Sequence, residues 1–289
     1  MSLPQPPSAP VRELPRCYRH PEREAGRSCT RCGKSACSEC LVQAAVGSHC
    51  LDCAKASRKD VATTVRFWNA RQHTLVTYAL MAVNVAVFAY VAAADPETLG
   101  GRNRVSREQF DLGLNTFFLQ DGRDDWYRLV TSGFLHFGII HLAFNMLLLY
   151  QLGQLLERSL GRVNFALLYA AGLLGGSLGV LLQDEPAITG GASGAVFGLM
   201  AAAAIGLQRQ GVSVFSTGIG TTLMLNLFIT FAIPGISIGG HLGGAAAGAI
   251  CGFVMLAPKW KGYPSWTRWA TPMAVAVGSV LVSVLVVSS

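Results

Sequence analysis

The sequence predicts an all-α polytopic membrane protein with a small zinc-binding module at its N-terminal end, and three observations lead there. Of the 289 residues, 51% are hydrophobic and only 13% charged, against roughly 25% charged in a typical soluble domain. From residue 74 onward, apolar runs of about 20 residues follow one another to the C-terminus, and that is the length a helix needs to cross a hydrocarbon core of about 30 Å. Seven of the eight cysteines, by contrast, fall within residues 17–53.

The chain divides by composition. Residues 1–16 form a Pro-rich leader, expected to be disordered, without the apolar core of a secretory signal. Residues 17–53 hold the cysteines. Residues 54–73 form a basic linker with Arg58, Lys59, Arg66 and Arg71, where Val61, Val65 and Trp68 fall at the spacing of a short interfacial helix. Seven spans are expected, over residues 74–94, 132–155, 163–182, 190–208, 214–233, 237–257 and 270–288. The long loop after the first span mixes Leu112, Leu114, Phe117, Phe118 and Leu119 with charges of both signs, which suits helices half-submerged at the membrane surface.

Charge sets the orientation. The basic linker precedes span one, Arg158 and Arg162 follow span two, Arg209 follows span four, and Lys259, Lys261 and Arg268 follow span six. The alternate loops are acidic (Asp184-Glu185-Pro186) or uncharged (Pro234-Gly235-Ile236). The excess of Lys and Arg on cytoplasmic loops then places the N-terminus inside and the C-terminus outside, with a bacterial plasma membrane as the expected location. The net charge of +7 is accounted for by these span ends, so nucleic acid is not an expected partner.

Strongly polar residues within spans are costly and mark function by default. Span two carries His136, His141 and Asn145, span four carries Ser193 within Gly190-Gly191-Ala192-Ser193-Gly194, and span six carries His241 within Gly239-Gly240-His241-Leu242-Gly243-Gly244. Spans two, four and six all start at the outer face. Ser193 and His241 each fall about one turn inside it, roughly 5–6 Å at 1.5 Å per residue, and His136 and His141 one to two turns. Asn145 is one turn deeper than His141 and on its face. These residues therefore share a layer, which scattered packing residues would not need to do. Glycines at 190, 194 and 198, and at 240, 244, 248 and 252, form stripes along which the two helices can approach closely. Close approach is what a serine nucleophile and a histidine base require.

With no acidic residue at similar depth, Ser193 and His241 would act as a dyad, and His141 and Asn145 can donate hydrogen bonds to an oxyanion. A zinc protease would need His-Glu-x-x-His on one helix face; His136 and His141 stand about 140° apart around a helix, with no Glu between them. No cofactor is expected for the chemistry.

These residues resemble the rhomboid family of intramembrane serine proteases. Gly191-Ala192-Ser193-Gly194 is similar to its Gly-x-Ser-Gly nucleophile motif, His136, His141 and Asn145 to its His-x4-His-x3-Asn helix, and His241 with Gly244 and Gly248 to its histidine helix. Trp126-Tyr127-Arg128 resembles its Trp-Arg loop segment, with Tyr127 interposed. The resemblance implies a six-helix rhomboid core over residues 74–257, with a loop and a seventh helix in residues 258–289. It also implies Ser193 as nucleophile, His241 as general base, an oxyanion hole from His141, Asn145 and the Ser193 N–H, and His136 in support. Phe197 stands where the family often stacks Tyr on the histidine. Substrates would be single-span membrane proteins cut near the outer face beside a small residue.

Cys17-x2-His20, Cys29-x2-Cys32, Cys37-x2-Cys40 and Cys50-x2-Cys53 are four ligand pairs, enough for two tetrahedral zinc ions. Seven cysteines cannot all pair as disulfides, and the cytoplasmic side is reducing. So small a segment needs metal to fold. The spacing resembles B-box and cross-braced zinc fingers, which implies Cys17, His20, Cys37 and Cys40 on one ion and Cys29, Cys32, Cys50 and Cys53 on the other. His49 is spare or replaces Cys50. A cytoplasmic protein partner is the expected use of the module.

Taken singly, Ser193 reads as a packing serine, His136 and His241 as helix-contact residues, Trp126 as an interfacial aromatic, Arg128 as a snorkelling cation and Cys251 as core. Jointly, the polar layer favours a protease over a catalytically inactive relative that binds membrane helices, and over a transporter or scaffold, which would leave the layer unexplained.

Overall fold

The computed structural model describes residues 14–44, 47–57, 74–101, 105–120, 123, 125–184, 186–233, 235–258 and 263–288. The leader up to residue 13, the basic segment 58–73 and the cations Lys259 and Lys261 lie outside them. The chain forms two compact units, Met1–Phe67 and Trp68–Ser289.

The first unit is built from two small hairpins. Strands β1 (Arg27–Ser28) and β2 (Ser35–Ala36) pair antiparallel, as do β3 (Leu41–Gln43) and β4 (Ser48–Cys50), which runs into helix α1 (Leu51–Ser57). Its core is little more than Cys17, Ala25, Ala36, Cys37 and Cys40, too few apolar groups to hold a fold by burial alone.

The second unit is helical. Its main elements are α2 (Leu75–Ala94), α3 (Arg107–Leu112), α4 (Arg128–Thr131), α5 (Ile139–Leu160), α6 (Arg162–Gln183), α7 (Ser193–Arg209), α8 (Ile219–Ala232), α9 (Ile238–Met255) and α10 (Thr267–Ser288). Among the described residues five helices, α2, α5, α6, α9 and α10, are long and apolar enough to cross a membrane. Helices α7 and α8 underlie the expected fourth and fifth spans but are shorter, at 17 and 14 residues. Gly218, at φ 79°, ends a preceding 3-10 turn and starts α8 late.

Helix α6 is the hub, with 67% of its apolar window buried. Its glycines face backbone: a methyl group at Gly176 would meet Gly194 and the Gly240 carbonyl, and one at Gly179 would meet the Gly239 carbonyl. Between α7 and α9, Gly194 faces Gly244, Gly198 faces Gly248, and Ala202 faces Gly252, each without room for a further carbon. Gly194 and Gly198 of one expected stripe and Gly240, Gly244, Gly248 and Gly252 of the other thus lie in the seam on which the helices bearing Ser193 and His241 meet, whereas Gly190 precedes α7 and faces Leu135; α6 supplies a third stripe not singled out in the sequence. Helix α10 packs on α6 and buries Ser279, Ser283 and Val287.

Two buried charges organise the remainder. Glu157, near the C-terminal end of α5, accepts from Val76 N at 3.0 Å, Thr77 N at 2.8 Å and Thr77 Oγ1 at 2.6 Å. It thereby satisfies free N–H groups at the start of α2. Arg128 is 3% exposed. It pairs with Asp125 at 3.1 Å, donates to the Phe110 and Gly113 carbonyls at 2.5 and 2.9 Å, and sits 4.0 Å over the Phe118 ring. Of the two readings the sequence allowed for Arg128, a loop-segment residue or a snorkelling cation, the second does not hold: Arg128 is an internal tie of the long loop, because loop carbonyls converge on it.

Candidate functional site

Helix α7 begins at Ser193 itself, and not a turn before it as the fourth span was drawn. The preceding strand-like segment is held in place by the long loop: Leu114 and Thr189 exchange backbone hydrogen bonds of 2.9 Å, and Gly191 N donates to Ser132 O at 2.8 Å. Gly191 adopts φ 146°, a conformation that only glycine takes cheaply. This turn leaves the Ser193 hydroxyl at the start of a helix whose first N–H groups have no partner within the helix. Those N–H groups and the helix dipole favour negative charge there.

His241 lies in the first turn of α9, which Ser237 caps by accepting from Gly240 N at 3.0 Å. Ser193 and His241 line one cavity of about 50 Å³, together with Ser132, Gly190, Gly191 and Gly240. The His241 ring stacks on Phe197, with centroids 4.1 Å apart and planes 19° off parallel, as expected of a Phe in that place. Its Nδ1 lies 2.7 Å from Thr230 Oγ1 on α8. Thr230 escaped the sequence reading. The signal was present, since Asn226 and Thr230 are polar residues at i and i+4 in an apolar run, the same criterion that singled out the histidines.

The histidines of the second span divide. His136 lies ahead of α5 and not within it, because Gly138, at φ 107°, delays the helix to Ile139. His136 is wholly buried, its Nδ1 is 3.3 Å from Phe134 O, and Gln109 Nε2 donates to its carbonyl at 3.3 Å. His141 is in the first turn of α5, 5.0 Å from the His136 ring in an edge-on arrangement. It receives a 3.4 Å hydrogen bond from Phe137 N at Nδ1. The edge of its ring carrying Nε2 packs on Gly191, where an added carbon would lie 3.0 Å from Nε2 and 3.5 Å from Ser193 Oγ. Asn145 is buried one turn along and gives one amide N–H to the His141 carbonyl at 3.0 Å, leaving its second N–H free of that bond. The structure therefore brings Ser193, His241, Gly191 and His141 together at the start of three helices, with Asn145 and His136 directly behind. Chemically, the group offers a hydroxyl, imidazole rings and N–H groups at helix starts.

In the first unit the ligand pairs fold into two sets. Cys17, His20, Cys37 and Cys40 form one, and Cys29, Cys32, Cys50 and Cys53 the other, with the ligand atoms of each within 4.8 Å of one another. His49 lies outside both. The described cysteines are all free thiols. A tetrahedral ion with bonds of about 2.3 Å to sulfur and about 2.0–2.1 Å to nitrogen would hold S–S pairs about 3.8 Å apart and N–S pairs about 3.6 Å apart. Cys32 Sγ and Cys50 Sγ are 3.7 Å apart, and His20 Nδ1 is 3.5 Å from both Cys37 and Cys40 and 4.0 Å from Cys17. Backbone N–H groups, Cys50 first, pull the Cys29 thiol down to about 6. Burial and the neighbouring thiols push Cys40 up to about 11. Each set thus contains a thiol that is pushed up, Cys40 in the first and Cys53 in the second, as crowding of thiolates without a cation does. Both sets could hold a metal ion.

A family described as the Rhomboid domain matches residues 123–258. The chain is 32% identical over 187 residues to "Rhomboid protease GluP" of Bacillus subtilis (strain 168), across 63% of this chain and 35% of that protein. It is 35% identical over 152 residues to "RHOMBOID-like protein 4" of Arabidopsis thaliana, across 50% of this chain and 37% of that protein. It is 31% identical over 143 residues to "Putative rhomboid protease YdcA" of Bacillus subtilis (strain 168), across 48% of this chain and 72% of that protein. The chain thus spans little more than a third of the first two relatives.

Proposed function

The chain belongs to the rhomboid family of integral membrane proteins, and from that premise we propose that it is an intramembrane serine endopeptidase working through Ser193 and His241. The observation that carries this reading is the cavity lined by both Ser193, at the very start of α7, and His241, in the first turn of α9. Relatives named as rhomboid proteases support it.

In this reading Ser193 Oγ attacks the scissile carbonyl carbon while His241 takes the hydroxyl proton. The negative charge that forms on the carbonyl oxygen is met by the Ser193 N–H at the helix start, with His141 and Asn145 as side-chain donors. His241 then gives its proton to the leaving amine, and the C–N bond breaks to leave an acyl-Ser193 ester. Water, deprotonated by His241, hydrolyses that ester and restores the hydroxyl. His136, buried behind His141, holds that ring in place. Substrates are single-span membrane proteins, cut near the outer face beside a small residue, as the resemblance to the family implies.

The distribution of Lys and Arg supports an N-terminus in the cytoplasm and a C-terminus outside. Residues 74–257 are the rhomboid core, and α10 in residues 258–289 is an addition to it. Residues 17–53 are a B-box-like, cross-braced module holding two structural zinc ions, supported by ligand spacings that fit tetrahedral zinc. It serves to bind a cytoplasmic partner.

The test is cleavage of a panel of single-span substrates by detergent-purified protein, wild type against Ser193→Ala and His241→Ala. Both variants should remain folded and lose cleavage, because nucleophile and base act as a unit. Near wild-type turnover by His241→Ala would end the dyad assignment.

A further inference from the structure

Helix α8 brings one polar contact to the site. Thr230 Oγ1 lies 2.7 Å from the Asn226 carbonyl oxygen on its own helix and 2.7 Å from His241 Nδ1 on α9. A hydroxyl has one proton to give. A carbonyl oxygen can only accept, so the contact to Asn226 is attractive only if that proton points at it. This is the usual back-bond of a helical threonine. The oxygen of Thr230 then faces His241 with lone pairs alone, and its contact with Nδ1 is attractive only if Nδ1 carries a hydrogen. The opposite assignment would set two bare oxygens 2.7 Å apart. Thr230 and His241 are 2% and 8% exposed, so solvent offers neither a ready substitute.

We propose that Thr230 is a positioning residue for His241, holding its imidazole as the Nδ1–H tautomer so that Nε2 keeps the lone pair that accepts a proton. The proposal rests on the reading of His241 as general base. The partner on one ring nitrogen decides which tautomer the other presents, and a base in the wrong tautomer cannot act however well it is placed. Phe197 constrains the ring by its face and Thr230 by its edge, so tilt and rotation are set by different helices. A neutral oxygen also suits this place better than a carboxylate, whose charge would be costly among membrane helices. In this reading a hydroxyl stands behind the Ser193–His241 dyad, on the Nδ1 side of the imidazole.

The experiment uses the full chain in detergent. Imidazole nitrogen NMR on ¹⁵N-histidine protein, in the Ser193→Ala background, reads the tautomer without needing activity, and His241→Ala identifies the resonances. His241 should be Nδ1-protonated in the parent and a tautomer mixture in Thr230→Val, while Thr230→Ser keeps the parent pattern. In kinetics, Thr230→Val should lower kcat about tenfold, the worth of one buried hydrogen bond, with KM unchanged, and Thr230→Ser should recover most of it. An unprotonated Nδ1 in the parent overturns the proposal. So does a tautomer unchanged by Thr230→Val, or equal loss of kcat in the Val and Ser variants. If the wild type cleaves no substrate, the protease reading fails, and the NMR comparison still decides the tautomer.

Discussion

Gly191→Ala is the sharpest test of the site's geometry. The added Cβ would stand 2.9 Å from His141 Cε1 and 3.0 Å from His141 Nε2. Relaxed carbon contacts lie at about 3.5–4.0 Å, so the ring must retreat by roughly 0.6–1.1 Å. A misplacement of about 1 Å can cost about 100-fold in rate. The backbone adds its own strain, because φ 146° is poor for alanine, at about 1–3 kcal/mol. Gly211→Ala separates the two effects: Gly211 also has positive φ but faces open space. Thermal melts and cleavage kinetics on one substrate should show both variants destabilised, Gly211→Ala with full kcat and Gly191→Ala with kcat down about 100-fold. If folded Gly191→Ala turns over like the wild type, His141 does not act from its observed position, and its place in the oxyanion hole is wrong.

Further outcomes follow from other contacts. His141→Ala and Asn145→Ala should each lower kcat by about 10²–10³, measured under saturating substrate; a change confined to KM would remove them from the oxyanion hole. Glu157→Ala strips three hydrogen bonds from the start of α2 and should cost at least about 2 kcal/mol. A reversible unfolding assay reads that loss, and an unchanged midpoint would refute the capping role. Elemental analysis of residues 14–57 should give about two zinc per chain, falling to about one in Cys29→Ser, with loss of structure on chelation; one zinc in the wild type would mean that one set is not a site. Removal of residues 1–60 should leave cleavage of a simple substrate intact, and a folded but inactive truncation would contradict the separation of roles.

Much of this was legible in the sequence because a membrane enforces strict patterns. A helix underlies each apolar run, and of the polar residues placed within runs Ser193 and His241 line one cavity, with His141 packed on Gly191, which also lines it. The glycine stripes were readable because close approach leaves few residue types available. Features set by non-local backbone were not readable. Nothing in the run 132–155 says that Gly138 turns the chain and leaves His136 outside α5. Arg128 is buried only because the Phe110 and Gly113 carbonyls fold back onto it, and their location depends on the whole loop. The α6 glycines were visible in the sequence but carried no chemistry to draw notice. Thr230 was missed, although Asn226 stands one turn before it, because a threonine in an apolar helix is ordinarily satisfied by its own backbone.

The seam of α6, α7 and α9 has a consequence for how this molecule can diversify. Gly194, Gly198, Gly244 and Gly248 touch main chain on the facing helix, so no side chain there can change shape to absorb a neighbour's substitution. Compensating pairs, the usual route by which a core drifts, are closed at these sites. Variation must instead accumulate on surfaces that no neighbouring helix covers, as at Phe228, Phe231 and Leu285 with 62–70% exposure. Descendants of this chain would therefore come to differ in what they meet in the bilayer well before they differ in the distance between Ser193 and His241.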